Sequence, residues 1–306
     1  MINQVAIVGG THGNEFTGVY LLKKWQNKPQ LIARESFNTT TLFANPRAFE
    51  HNCRYIDCDL NRRFKQTELD DDSLSNYEQS RAKVINEQLG PKGAAKTDFL
   101  IDLHTTTSNM GPTLILPEKG LFYRQLAAYV TERMPEAIVF LDDQDLEAKD
   151  HYFLSTIATK SVLIEVGPVP QSVLRQDVFE QTEQMTQLIL DFIELDNTKQ
   201  LPSVSESIEA FRFVKSIKLP LDENGERLGM VHQHIQDSDF NTPISKGTPL
   251  FRTFDGEDIF WQEEQTLYPA FVNEAAYYDN NLAMSLLRKV NVEVESGVES
   301  DLHNDS

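Results

Sequence analysis

The chain has 306 residues, of which 40% are hydrophobic and 25% charged, and a formal net charge of −19. That length is enough to bury a core in one large domain or in two smaller ones. The acidic balance opposes nucleic acid and anionic membranes, which call for basic patches, and any small acidic ligand would need local arginines to overcome the field. No apolar run is long enough to span a membrane. The start, Met1-Ile2-Asn3-Gln4, has neither a basic n-region nor a long h-region, so a cytoplasmic address is expected.

Residues 4–8 (QVAIV) predict a buried strand, and Glu15 to Trp25 an amphipathic helix with Phe16, Val19, Leu22 and Trp25 at helical spacing. Residues 39–46 (TTTLFANP) read as a strand stopped by Asn45-Pro46. Cys53 and Cys58 are too few for a disulfide framework or a four-thiolate zinc site and read as reduced thiols. A helix within SLSNYEQSRAKVINEQLG ends at Gly90, followed by strands at 97–105 (TDFLIDLHT) and 112–117 (PTLILP). LFYRQLAAYVTERM reads as a helix, AIVFLD and SVLIEVG (161–167) as strands, and QSVLRQDVFEQTEQMTQLILDFIEL as one long helix. Strands alternating with helices predict an α/β domain with a mixed or parallel sheet over residues 1–199. The texture changes after Asn197. TKQLPSVSESIEA is loop-like, and FRFVKSIKL, GMVHQHI, TPLFRTF and LYPAFV, separated by turn residues, predict a smaller C-terminal β domain over 200–306 with a frayed acidic tail.

The first strand runs into GGTHGNE, which offers His12 and Glu15 three positions apart. The stretch lacks the Lys-Ser/Thr of a phosphate-binding loop and the G-x-G-x-x-G spacing of a dinucleotide site. His104 supplies a third ligand, because it ends the strand FLIDLH, and ligands of open α/β sheets gather beyond strand carboxyl ends. Two histidines and a glutamate leave a coordination position open, as in catalytic zinc sites. Asp102, on the same side of its strand as His104, either orients a ligand imidazole or makes a structural hydrogen bond. Glu165 places a carboxylate near the end of an apolar strand; it is read as a general base and acid, against a buried salt bridge.

Together AIVGGTHGNEFTGVYLLKKW, NCRYIDCDLNRRF, IDLHTTTSNMGPT, IEVGPVPQ and YPAFVNEAAYY resemble the aspartoacylase and succinylglutamate desuccinylase branch of the zinc carboxypeptidase-like hydrolases, over nearly the whole chain. The resemblance implies a zinc carboxypeptidase-like fold, one zinc ion per subunit on His12, Glu15 and His104, and Glu165 as general base and acid. It further implies that Arg54 stabilises the oxyanion at the scissile carbonyl, that Asn61 and Arg62 hold a substrate carboxylate, and that Tyr277 reaches the substrate from the C-terminal domain. A small-molecule N-acyl amino acid substrate follows, N-acetyl-L-aspartate first, with no nucleic acid or membrane partner and with a homodimer as the implied assembly. Deacylation of another N-acyl amino acid, such as N-succinylglutamate, is the alternative; a metal- or metabolite-binding protein without turnover is the reading of a different class.

Two positions depart from the family pattern. Ser155 stands where an arginine is expected ten residues before the glutamate, and Asn281 where a lysine is expected after the tyrosines. His151 or Lys149 would have to compensate in holding a second substrate carboxylate. His232 and His234, in GMVHQHI, are expected on one face of a strand at a spacing that binds metal, though without a third ligand nearby. Asp57 and Asp59 are expected to pin the arginine-bearing loop.

Overall fold

The computed structural model describes residues 1–142, 147 and 149–302. The chain opens with β1 (Gln4–Gly9), α1 (Phe16–Asn27), β2 (Asn38–Phe43) and the short α2 (Pro46–Glu50). α3 (Gln66–Leu69) and α4 (Tyr77–Leu89) lead into β3 (Phe99–Thr105) and β4 (Gly111–Leu116). α5 (Leu121–Arg133), β5 (Ile138–Leu141), β6 (Lys160–Gly167) and α6 (Gln176–Asn197) follow. The remainder is β7 (Ser207–Lys218), β8 (Gly229–Val231), β9 (Pro249–Thr253), β10 (Asp258–Phe260), β11 (Tyr268–Ala270), β12 (Leu282–Glu293) and β13 (Glu299–Asp301).

The strands form a mixed sheet in the order β11-β12-β7-β5-β4-β6-β3-β1-β2, with β13 added on β12, and a separate three-stranded sheet β10-β9-β8. β2, β1, β3 and β6 are parallel, so their carboxyl ends share one edge. Alternate residues of β1 serve opposite layers. Val5 and Ile7 pack with α1, α5 and α6, whereas Ala6 and Val8 pack with α4 through Ala82, Ile85 and Leu89. Each buried Leu, Ile or Phe of these layers contributes about 1.5–3 kcal/mol. The C-terminal β domain has its own apolar cluster, including Ile235, Leu250, Trp261, Leu267 and Leu286. Among the described residues no helix is long and apolar enough to cross a membrane.

Four expectations need correction. Gln171–Arg175 do not extend α6. Ser172 takes a left-handed φ of 65°, its N–H donates to the Asn14 carbonyl at 2.8 Å, and its hydroxyl bonds Asn52, so the segment closes over the His12 loop. Residues 207–210 belong to β7, not to the preceding loop, with Ile208 and Ala210 buried in alternation. Part of the acidic tail is a strand: Glu299 pairs with Arg212, and Asp301 with Arg288 at 3.1 Å, which offsets its poverty in apolar residues. The final residues 303–306 lie outside the described ones. His232 and His234 do not share a strand face, because β8 ends at Val231 and a turn follows in which the His234 N–H donates to His232 Nδ1 at 3.1 Å.

One buried carboxyl in the C-terminal half gives a pH-dependent prediction. Burial pushes Asp239 up to about 7, against backbone N–H groups of Val272 and Asn109 that pull it down. A carboxyl raised on folding binds its proton more tightly in the native state, so its contribution is full below pH ~4 and is lost as the pH rises through 7. Asp239→Asn is therefore expected to gain roughly 2 kcal/mol relative to the native chain between pH 5 and pH 8 in urea unfolding. A pH-independent gap would show that the carboxyl is ionised throughout.

Candidate metal centre and active site

The loop after β1 is shaped by packing. Gly10 sits at φ +69°, a conformation that disfavours side chains, and a Cβ on Gly13 would lie 2.2 Å from the Ala48 carbonyl carbon. The Gly13 N–H donates to the Arg54 carbonyl at 3.0 Å, which ties the loop to the segment carrying Arg54. The glycines therefore let the chain pass close to α2, and His12 and Glu15 are presented at the carboxyl edge of the sheet.

His12, Glu15 and His104 meet there, all three buried, with one ligand atom from each lying within 4.8 Å of the others. His12 Nδ1 is 2.6 Å from Glu15 Oε1, and His104 Nδ1 is 3.0 Å from Glu15 Oε2. The remaining ring nitrogens face carboxylates: His12 Nε2 lies 3.0 Å from Asp59 Oδ1, and His104 Nε2 3.0 Å from Asp102 Oδ2. Asp102 is fixed in turn by the Thr11 hydroxyl at 2.8 Å. Asp59, hydrogen-bonded to His12 Nε2, favours the His12 tautomer whose Nδ1 lone pair faces the centre, as in carboxylate–histidine–metal sites, while Asp102 approaches His104 Nε2 without hydrogen-bond geometry.

The donor chemistry suits a divalent cation. Burial alone would raise the Glu15 carboxyl, but His12 and His104 hold it well below the usual carboxylate range. Asp59, likewise opposed by burial, is held down by His12, Arg54 and Arg62. Burial would lower His104, yet Asp102 and Glu15 raise it well above the ordinary histidine value. Among the described residues Glu15, Asp59, Asp102, Glu165 and Glu274 gather in this region with two guanidiniums, Arg54 and Arg62. Two imidazoles with one carboxylate are a donor set that metals of the zinc type accept.

The β3–β6 register sets His104 directly beside Glu165. Glu165 is only partly exposed, facing a cavity of about 280 Å³ that the three candidate ligands also line. Burial raises its carboxyl well above the usual range; His104 and Arg54 oppose the shift, and Glu15 and Glu274 add to it. Arg54, Asn61, Arg62 and Tyr277 line the same cavity. Arg54 donates to Glu15 at 3.3 Å and to Asp59 at 3.1 Å, so its guanidinium is locked at the inner end. The Arg62 guanidinium lies over the rings of Tyr152 and Phe153, 5.2 and 5.0 Å from their centroids. Tyr277 packs on Phe271, and burial raises its phenol, so it stays protonated.

Several supporting residues were not singled out from the sequence. Glu78, fully buried in the first turn of α4, accepts the N–H groups of Ile56, Asp57 and Cys58 at 2.7, 2.9 and 3.3 Å, clamping the loop between Arg54 and Asn61. Glu274 accepts the Thr107 and Ser108 N–H groups at 2.8 and 3.2 Å and the Thr106 hydroxyl, fastening the Tyr277 turn to the loop after His104. Asp59 does pin Arg54, as expected of it, and also backs His12. The capping box of Asn76 and Gln79 is the one local signal that fixes Glu78 in a first turn.

Neither departure from the family pattern supplies a cation. Ser155 is fully buried, its hydroxyl without a hydrogen-bond partner among the described residues, and it does not line the cavity. Asn281 adopts a left-handed conformation at the end of the turn Ala275–Asn280 and accepts from Arg227 Nε at 2.9 Å. Lys149 pairs with Glu147 at 2.8 Å, and neither it nor His151 lines the cavity. His232 Nε2 lies 3.6 Å from Asp258, and among the described residues no third ligand completes a metal cluster there.

Residues 1–193 match the family described as succinylglutamate desuccinylase/aspartoacylase catalytic domain, and residues 206–289 the AstE/AspA barrel-sandwich hybrid domain. The chain is 45% identical over 294 residues to a probable aspartoacylase of Trichodesmium erythraeum, covering 96% of this chain and 99% of the relative. It is 39% identical over 286 residues to the N-acyl-aromatic-L-amino acid amidohydrolase (carboxylate-forming) of Homo sapiens, covering 92% and 89%. Murine aminoacylase 3 has a similar crystal structure, with a TM-score of 0.88 at 35% identity over 98% of this chain and 99% of that one.

Proposed function

Because the chain belongs to the succinylglutamate desuccinylase/aspartoacylase family, we propose that it is a zinc-dependent amidohydrolase of small N-acyl amino acids, with N-acetyl-L-aspartate as the first substrate to consider. The observation that carries this reading is the meeting of His12, Glu15 and His104 beside Glu165 at the inner end of one cavity. In this reading those three side chains hold one zinc ion per chain, which when bound supplies Lewis acidity for an amide carbonyl and for a water.

The chain's own groups do the rest. Glu165, beside His104 and facing the cavity, takes a proton from the attacking water and delivers it to the departing nitrogen. Water adds its oxygen to the acyl carbon, the carbon–nitrogen bond breaks, and a carboxylate and a free amino acid result. Arg54, held by Glu15 and Asp59, offers its guanidinium to the oxyanion without having to reorganise. Arg62 presents a planar fork to the substrate carboxylate, with Asn61 beside it, and Tyr277 donates a hydrogen bond from the same cavity lining. A cavity of about 280 Å³ suits a small acyl amino acid and not a long peptide.

A second reading has its own support. The cavity lining also includes the apolar side chains Ile115, Phe140, Leu163, Phe213, Phe271 and Leu282. Arg62 is the one lining cation without an ion pair among the described residues, and Ser155 and Asn281 add none. A substrate with one carboxylate and an aromatic side chain would match that lining, and the human relative is named for such substrates. Kinetics on N-acetyl-L-aspartate, N-acetyl-L-phenylalanine and N-succinyl-L-glutamate decide. The first reading expects kcat/KM for acetylaspartate to lead by about tenfold or more, roughly one buried charge-assisted contact. The reverse order establishes the aromatic reading, and turnover of none would leave a metal-binding protein without this activity.

A further inference from the structure

Past the end of α4 the chain buries Lys92, 8% exposed, beneath the cavity wall that carries Tyr152 and Phe153. Its ammonium makes no ion pair among the described residues. It donates instead to the Phe64 carbonyl at 2.7 Å, the His151 carbonyl at 2.5 Å and the Thr156 hydroxyl at 2.9 Å, so all three N–H groups are used. An ammonium buried on neutral acceptors is costly, and a leucine or methionine would fill the space with less penalty. The acceptors indicate what the lysine does there. Phe64 follows Arg62 by two residues, His151 immediately precedes Tyr152, and Thr156 closes the same segment.

The two segments are joined along their length. The Phe64 N–H donates to the Tyr152 carbonyl at 3.2 Å, the Gln66 N–H to the Lys149 carbonyl at 2.9 Å, and the Leu154 N–H to Asn61 Oδ1 at 2.8 Å. Neither segment has a long helix or strand to hold it, and the Arg62 guanidinium rests on rings carried by the other one. Lys92 crosses under this seam and grips both sides.

We infer that Lys92 is a positioning residue for recognition of the substrate carboxylate: its ammonium ties the Arg62-bearing segment to the Tyr152–Phe153 wall and fixes the guanidinium above those rings. The inference rests on the reading of Arg62 as the carboxylate-holding group. Removing the tie lets Arg62 wander while leaving His12, Glu15, His104 and Glu165 in place, so binding suffers and the chemical step does not.

Lys92→Met and the milder Thr156→Val, which removes one acceptor of the ammonium together with the hydroxyl's own bond to the Phe153 carbonyl at 2.6 Å, test this in the zinc-loaded full chain with the best substrate of the panel. Lys92→Met is expected to raise KM about tenfold with kcat within about threefold of the native value, and Thr156→Val to raise KM roughly twofold. In an Arg62→Ala background, Lys92→Met is expected to add less than about a twofold further change. Hydrogen exchange gives a readout independent of turnover: the Phe64, Gln66 and Leu154 amides should exchange at least about tenfold faster in Lys92→Met, with those of β3 and β6 unchanged. Absence of turnover in the native chain would overturn the amidohydrolase reading, while the exchange pattern would still decide whether Lys92 braces the seam. If Lys92→Met does not fold, Thr156→Val carries the same comparisons. An unchanged KM, a full effect persisting without Arg62, or seam amides that exchange as in the native chain would each overturn the inference.

Discussion

Glu165→Gln is expected to lower kcat by about 10³-fold while leaving KM within a few-fold of the native value, the middle of the range for losing a positioned general acid–base. The amide keeps the size and most of the packing of the carboxyl in β6, so the His104–Glu165 register survives and the three candidate ligands stay where they are. What it cannot do is accept a proton from water and return it to nitrogen. Because Arg62 and Asn61 are untouched, substrate should still bind, and the zinc content should be unchanged. A variant retaining more than about a tenth of native kcat would remove Glu165 from the proton-transfer role, since even the weakest general-base contributions exceed that factor.

Removal of the metal is expected to abolish turnover and to destabilise the fold, with both effects reversed by adding zinc. The stabilisation follows from mass action. An ion that binds the native chain and is present at 1,000 times its dissociation constant adds about 4 kcal/mol. Without it, Glu15 is left with the two imidazoles and Arg54 as partners, and Asp59 and Asp102 stand at the outer ring nitrogens. In His104→Ala the zinc-dependent rise in melting temperature should disappear, because two side chains cannot hold the ion comparably. A thermal shift by zinc that survives in His104→Ala and His12→Ala would mean that the ion binds elsewhere.

The parallel part of the sheet was legible because its strands are apolar runs that each end in a chemically active side chain. QVAIV leads to His12, FLIDLH ends in His104, and SVLIEVG carries Glu165; parallel pairing brings those ends to one edge. Contacts without local periodicity were not legible. Glu78 reaches back about 20 residues to the Arg54 loop, Lys92 reaches Phe64 and His151, and Glu274 reaches across 168 residues to Thr106. No hydrophobic pattern records such bonds. The strand Glu299–Asp301 was missed for a related reason: its partners are arginines on β7 and β12, and acidic composition alone suggests a solvated tail. His232 and His234 misled because alternate spacing implies a shared face only while the strand continues, and β8 stops at Val231. Ser155 and Asn281 were visible as departures, but the first is buried, the second is bound by Arg227, and neither lines the cavity.

The account turns on one ion held by three side chains, and anomalous diffraction at the zinc absorption edge tests it most directly. Crystals of the zinc-loaded chain should give one strong peak among His12 Nδ1, His104 Nδ1 and the Glu15 carboxylate, close to Glu165. No peak between those groups, or the only strong peak at another place in the molecule, would contradict the reading of this cavity as a metal-dependent amidohydrolase site.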